Sequence, residues 1–502
     1  MNSSTPSTKA RSRLSKWGRR LLWSGICLAS LLTLYYQWEN WRSARELKEA
    51  HARLVERIGT DDMWVQAPPS IPDEQNFFAL PVVAQWAAED LKRGSSFKVY
   101  RVPKDAFWPE DLPEPKVMKD ETDGTSKVDW TGRGTPIDVV ALNQALGDAN
   151  GLLTQLGAGL GRPFACLKPG LREALESAGK DRHDVEIPNI VQIMQSQQKL
   201  CLHLRCAAEA GDVARARQTA LISLRLFAES AATHGTLIVS MQSLACHSIA
   251  FEALQQALGY AVWDEASLRA LKLQLAKIND LEMLERSMRA NALWGFATAI
   301  SVRDECARGN ADLFKENYQQ DAKRWGWRLW HACFTWAYLY GPSGWHDANL
   351  AFYLNAELDV HCLAGETMWM SAGDRRDQYK ARLKEIFPGD PRRMLGVMGS
   401  PNIGNLFSAA ARTLFRRRCL IIACVLEKHR LLHGSYPASL EAVQDELKLF
   451  AVNDPARPTQ MPGYRLEKSG YLLWSAGHDA QDNGGMDDRD WLWRMKLNTT
   501  SP

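Results

Sequence analysis

Hydrophobic positions recur along this chain in three rhythms, and each predicts a different element. The first is unbroken. Leu21 to Trp38, LLWSGICLASLLTLYYQW, runs for eighteen residues without a charge. At ~1.5 Å per residue that makes about 27 Å of helix, the short end of what crosses a hydrocarbon layer about 30 Å thick. Local thinning of the bilayer closes the difference. Trp17 and Trp23 on one side and Tyr35, Tyr36, Trp38 and Trp41 on the other stand where the headgroup layers would be, the depth amphipathic rings prefer. Residues 1–20 form a basic tail with Lys9, Arg11, Arg13, Lys16, Arg19 and Arg20 and no acid, so the positive-inside rule keeps that end in the cytoplasm. The expectation is a single-pass bacterial inner-membrane protein with its N-terminus cytoplasmic and its body periplasmic. A cleavable signal peptide needs small residues at its cleavage site, and this run ends in Leu-Tyr-Tyr-Gln-Trp. Cys27 follows the bulky Ile26, which argues against lipoprotein cleavage and for a small apolar residue within the span.

The second rhythm, apolar residues at spacings of three and four, predicts helices over most of the remaining chain. Glu39 to Gly59 continues the first helix, with Ala44, Leu47, His51, Leu54 and Ile58 as a narrow seam. Ala67-Pro68-Pro69-Ser70-Ile71-Pro72 breaks it, and residues 39–134 are expected to hold a juxtamembrane helix and a proline-containing linker. Residues 135–410 are expected to form an irregular stack of helical hairpins. Ile190, Ile193, Met194, Gln197, Leu200 and Leu204 mark one helix, and Gly211-Asp212 ends it. Asp212 is a natural N-cap for the next helix, whose buried stripe is Ala216, Ala220, Leu221, Leu224 and Phe227. This turn resembles that of tetratricopeptide-type repeats, although no strict period of about 34 residues follows. Leu237 to Leu258 reads as a further apolar helix, and Leu268, Leu271, Leu275 and Ile278 share one face of the next. The aromatic run Trp325, Trp327, Trp330, Phe334, Trp336 is interrupted by Arg328 and His331, so core packing or docking on a membrane surface is favoured over a second span.

Composition narrows the function classes. Six of the 61 basic residues lie before residue 21, and the remainder nearly balance the 58 acids, so the body carries no footprint for nucleic acid. The ten cysteines show no CxxC pair or finger spacing, which removes zinc ribbons and thioredoxin chemistry and favours buried free thiols. No HExxH, GxSxG or Walker loop occurs, and no GxGxxG follows a strand. Glu282, Glu285, Arg286 and Arg289 share helical spacing and read as a solvated ion-pair face.

The third rhythm is alternation near the C-terminus. A helix through Ala423, Leu426, Glu427, His429 and Arg430 runs into Leu432-His433-Gly434-Ser435-Tyr436-Pro437, then Asp454-Pro455, a strand Gly463–Glu467, a turn at Lys468-Ser469-Gly470 and a strand Tyr471–Ser475. The stretch closes on Ala476-Gly477-His478-Asp479-Ala480-Gln481-Asp482-Asn483-Gly484-Gly485-Met486-Asp487-Asp488-Arg489-Asp490-Trp491. This order of helix, HGxYP, DP, hairpin and acidic glycine-rich loop resembles the C-terminal half of the major pseudopilins of type II secretion, over the last 85 or so residues. The resemblance implies a small α+β module at residues 411–502 and a Ca2+ ion in the loop. Asp479, Asp482, Asp487 and Asp488 are the implied ligands, helped by carbonyls near Leu473 and Ser475. Hard cations want several oxygens, which such a loop supplies. Ala480 stands where the family has a glycine, and no Gly-Phe-Thr-Leu-x-Glu processing motif precedes the anchor, so polymerisation as a pseudopilus is not implied. A second resemblance lies at Asp73-Glu74-Gln75-Asn76-Phe77-Phe78-Ala79-Leu80-Pro81, which is similar to a segment just after the anchor in uncharacterised envelope proteins of Gram-negative bacteria.

The expected fold is mainly α, a stack of helical hairpins, TPR-like in part, with one transmembrane helix and a C-terminal module containing a β-hairpin. The expected function is a membrane-anchored scaffold or interaction protein with protein partners and no catalytic residues. An envelope hydrolase with a carboxylate on the helical body, and an accessory part of a secretion or pilus-type system, are the alternatives.

Overall fold

The computed structural model describes residues 8–60, 62, 67–84, 106–108, 112, 114–119, 126–132, 135–147, 151–178, 190–228, 237–260, 262–307, 341–360, 392, 404–477, 479–486 and 489–497. Among these it is mainly helical, with twelve α-helices and small antiparallel sheets. The chain divides into two compact units. One comprises residues 1–61, 295–360 and 379–401, the other residues 62–294, 361–378 and 402–502. The aromatic run at 325–336 lies outside the described residues.

The first unit is built on α1 (Thr8–Ile58), a single helix of 51 residues. Its exposed residues include Leu21, Leu22, Trp23, Ile26, Leu28, Leu31, Leu32 and Leu34. Burial begins at Glu39 and continues through Ser43, Ala50 and Leu54, a stripe at helical spacing. That stripe is turned from the seam read in the sequence, since Ala44 is exposed and Leu47 and His51 are half-buried. Glu39 explains the turn: its carboxylate meets the Arg392 Nε at 2.9 Å, and a charge paired in this way fixes which face points inward. The helix later labelled α10 (Gly344–Val360) packs along α1. Its first residue lies so close that a Cβ there would meet the Asn40 Cα at 2.6 Å and the Glu39 carbonyl oxygen at 2.7 Å, so only glycine fits. The Gly344 N–H donates to the Asn40 Oδ1 at 2.7 Å.

In the second unit, residues expected to be linker are core. Phe77, Phe78, Leu80, Val83 and Phe107 pack with Leu152, Leu153, Leu156, Leu200, Ile222, Leu226 and Cys246. Asn76 makes this possible. Buried, it donates from Nδ2 to the Cys166 carbonyl at 2.8 Å and accepts the Cys166 N–H at 2.9 Å, tying two irregular segments together. Two short ribbons follow, β1 (Lys116–Lys119) with β2 (Ser126–Asp129) and β3 (Thr131–Gly132) with β4 (Thr135–Pro136).

The helices α2 (Val139–Leu146), α3 (Leu152–Ala158) and α4 (Leu171–Ala178) lead into a packed pair, α5 (Ile190–Glu209) and α6 (Val213–Ala228). Gly211 takes φ +77° at their turn, and Asp212 caps α6 by accepting the Arg215 N–H at 3.1 Å. One face of α6 buries Ala216, Ala220 and Leu224 in one cluster, and another buries Ile222 and Leu226 in a second, so the helix is enclosed from two sides. Next come α7 (Leu237–Leu258), α8 (Glu265–Lys277), capped by Asp264 through the Ser267 N–H at 2.6 Å, and α9 (Asp280–Ala307), whose residues from Gly295 on belong to the first unit. Leu268, Leu271, Leu275 and Ile278 are all buried.

The helix α11 (Gly404–His433) crosses the expected boundary between body and module without a break. Phe415, Cys419 and Leu420 to Leu426 share one cluster with Ala216, Leu254 and Leu271 on one hand and with Tyr471, Leu473 and Trp493 on the other. The C-terminal residues therefore have no separate core. They contribute the short α12 (Gln444–Leu447) and a three-stranded antiparallel sheet ordered β5 (Gly463–Glu467), β6 (Gly470–Ser475), β7 (Trp491–Lys496). The central strand β6 buries Tyr471, Leu472 and Leu473.

Candidate functional site

The acidic loop joins β6 to β7, and its foundation is Asp454 of the Asp-Pro pair. This side chain is fully buried and accepts four donors: the Ser475 hydroxyl, the Ala456 N–H at 3.0 Å, the Ala476 N–H at 3.1 Å and the Arg457 Nε at 3.1 Å. A buried carboxylate needs such donors to stay ionised. Arg457 then reaches across to the loop, donating from Nη1 to the Asp482 Oδ2 at 2.8 Å.

Asp482 is consequently well occupied. Its Oδ1 accepts the Trp474 Nε1–H at 2.8 Å and the Gly484 N–H at 2.9 Å. Partial burial pushes the Asp482 carboxyl up, but the bonds from Trp474, Gly484 and Arg457 outweigh it and hold the group below the usual carboxylate range. A carboxylate offers about four lone-pair directions, so three donors leave it about one for any cation. Asp479 is exposed and freer: it accepts the Gln481 N–H at 3.1 Å, and the Arg489 Nη1 stands 3.9 Å away. Asp487 and Asp488 lie outside the described residues. Leu473 and Ser475 sit in the central strand, with Ser475 spending its hydroxyl on Asp454.

The loop's turns are fixed by backbone geometry. Gly477 has φ +65°, and a Cβ there would meet the Arg489 carbonyl oxygen at 2.1 Å. Ala480, in the place of the expected glycine, holds φ +55°, a left-handed conformation an alanine adopts only under constraint. One residue passed over in the sequence belongs to this site. Asp490 is 4 % exposed and accepts the Gly485 N–H at 2.9 Å through Oδ2, while its buried Oδ1 has no hydrogen-bond partner among the described residues. A buried acceptor left so costs stability unless something else meets it. Among the described residues no group of three or more His, Cys, Asp or Glu side chains is gathered as a metal site.

Two further charged clusters lie inside this unit. On α11, Glu427 is buried and takes a bond from the Tyr436 hydroxyl and another from the Arg430 Nε at 2.8 Å, so the Tyr-Pro turn is locked to the helix. Burial raises the Glu427 carboxyl, and Tyr436 and Arg430 only partly offset it. The second is a dyad. The His247 Nδ1 lies 2.8 Å from the Asp280 Oδ1, both side chains 1 % exposed, and Arg417 adds a buried positive charge. Such a pair is the orienting half of many catalytic sites, yet substrate has no approach to side chains this enclosed. Cys27, Cys166, Cys201, Cys206, Cys246, Cys419 and Cys424 are free, and burial pushes the thiols of Cys201 up to about 11 and Cys424 up to about 12, so both are poor nucleophiles.

One helix among the described residues has the length and mean hydropathy of a membrane span: α7, at 1.4, with 67 % of the window buried. Leu21–Trp38 does not reach that mean, because Tyr35, Tyr36, Gln37 and Trp38 lower it. Compared with known proteins, the chain matches no family model, no curated protein and no solved structure.

Proposed function

We propose that this chain is a single-pass inner-membrane protein, N-terminus cytoplasmic, whose periplasmic helical body binds protein partners. The observation that carries the reading is the bare apolar length of α1. Leu21, Leu28, Leu31 and Leu34 are 67 %, 69 %, 64 % and 61 % exposed on one continuous helix, and water does not leave such a surface uncovered. The Thr33 hydroxyl donates to the Ala29 carbonyl at 2.8 Å, which satisfies it within the helix as a lipid environment requires. Packed helix pairs such as α5 and α6, read as a TPR-like stack, offer the surfaces on which partners dock. The test is a periplasm-dependent reporter fused after Pro502, together with an alkaline carbonate wash of membranes. Reporter activity with retention in the membrane is the expected result. A protein released by carbonate, or a silent reporter, defeats the proposal.

The acidic loop belongs to the same reading as a Ca2+ site that stiffens the module. Its support is the orphaned Asp490 Oδ1 beside the turn at Gly485, with Asp479 and the remaining lone pair of Asp482 as further oxygens and Asp487 and Asp488 as candidates from the sequence. Calcium is expected to raise the melting temperature of the full-length protein in detergent, and the paired changes Asp487→Asn and Asp488→Asn to remove the rise. A wild-type melting curve indifferent to calcium and chelator rules the ion out.

A further inference from the structure

We infer that the C-terminal end of α11 is a chelating site for a divalent transition-metal ion, formed by His429 and His433. The two imidazoles are one helical turn apart, at i and i+4, and their ring centroids are 4.3 Å apart. The helix ends immediately afterwards. Gly434 takes φ +77° and its N–H closes on the Arg430 carbonyl at 2.8 Å, a left-handed cap that turns the chain back on the last turn. The turn brings the Ser435 carbonyl to 3.1 Å from the His429 Nδ1. A carbonyl only accepts, so Nδ1 carries the proton and the Nε2 lone pair is left for a ligand bond. An outer carbonyl holding a ligating histidine in this tautomer is the usual support of such a bond.

The surroundings suit a cation. The last carbonyls of a helix carry partial negative charge. The neighbouring positive side chains are already engaged, Arg430 with Glu427 at 2.8 Å and Lys428 with Glu446 at 3.3 Å and Glu265 at 3.5 Å. His433 is exposed and His429 half-buried, so the open coordination positions face water or an outside ligand. Two imidazoles with open positions select Zn2+, Ni2+ and Cu2+ over Ca2+ and Mg2+, with Cu2+ the tightest. The pair is separate from the acidic loop in both residues and donor chemistry.

The experiment is titration of the full-length protein in detergent with Zn2+ alone, followed by calorimetry, and then displacement by Cu2+. One equivalent is expected to bind and to raise the melting temperature. His433→Ala and His429→Ala are each expected to weaken binding by more than the roughly tenfold that loss of an outer partner costs. Both positions lie at a helix end away from the core, and metal-free melting checks that each variant folds as wild type does. Binding that survives unchanged in the double variant His429→Ala with His433→Ala overturns the inference, as does a wild-type protein that takes up no Zn2+.

Discussion

Leu21–Trp38 and Leu237–Leu258 are both long apolar stretches of helix, but one stands bare on α1 and the other is enclosed as α7. Their polar residues explain the difference better than their apolar ones. In α7, Ser240 bonds to Ser287, His247 to Asp280, and Ser248 accepts from Arg416 at 2.8 Å, so its polar groups find partners on other helices. In the proposed anchor, Thr33 turns to its own backbone, Ser24 and Ser30 are the other aliphatic hydroxyls within the run, and the charges flank its two ends. Average hydropathy ranks α7 as the better span. Where the polar groups are and what they bond to supports the proposal of α1 as the span.

The largest test of this contrast places the same charge in each helix. Leu254→Arg buries an unpaired guanidinium in the main cluster, a change of the kind that costs more than about 4 kcal/mol, and the cooperative melting of the protein is expected to disappear. Leu28→Arg with Leu31→Arg, at roughly 3 kcal/mol each for a charge in mid-bilayer, is expected instead to leave melting intact and release the protein from membranes on carbonate washing. The opposite pattern would reverse the assignment of the two helices.

A smaller effect probes the polar bonding of α7. Asp280→Ala strands His247 and Arg417 in the core, and breaking a buried pair in this way costs about 3–5 kcal/mol in urea unfolding at neutral pH. Burial pushes the Asp280 carboxyl up, but the charge of His247, its hydrogen bond and Arg417 outweigh it, so the group sits below the usual carboxylate range. A carboxyl depressed in the folded state lends stability above its unfolded value, about 3.9, and loses it as the pH falls through the folded value. Wild type and variant are therefore expected to differ at pH 7 and to converge in strong acid. A gap that persists at low pH would mean that the pair acts through packing alone.

Helix faces and turns were legible because their causes are local. Leu268, Leu271, Leu275 and Ile278 lie where periodicity puts them, Asp212 caps its helix, and the strand Gly463–Glu467 has the limits its turn implies. Partners distant in sequence were not legible. Asn76 reaches Cys166, and this packs Phe77 and Phe78 into a core where prolines suggested a linker. Arg457 joins Asp454 to Asp482, and nothing in the spacing of the aspartates shows that one of them is held by an arginine. Asp490 and Asp482 look alike in the sequence and differ in burial and in what meets their oxygens. His429 and His433 had a readable signal in their spacing, which the HGxYP pattern around them obscured.

On the membrane topology proposed above, the continuity of α1 bears on the rest of the first unit. No glycine or proline interrupts it between Gly25 and Ile58, and Gly344 of α10 lies tight against Glu39 and Asn40, just past Trp38. With no joint between the bare length and the packed length, α1 is a stiff rod and not a flexible tether. In the proposed anchor, a change in the tilt of the span would be carried along α1 to the place where α10 packs on it.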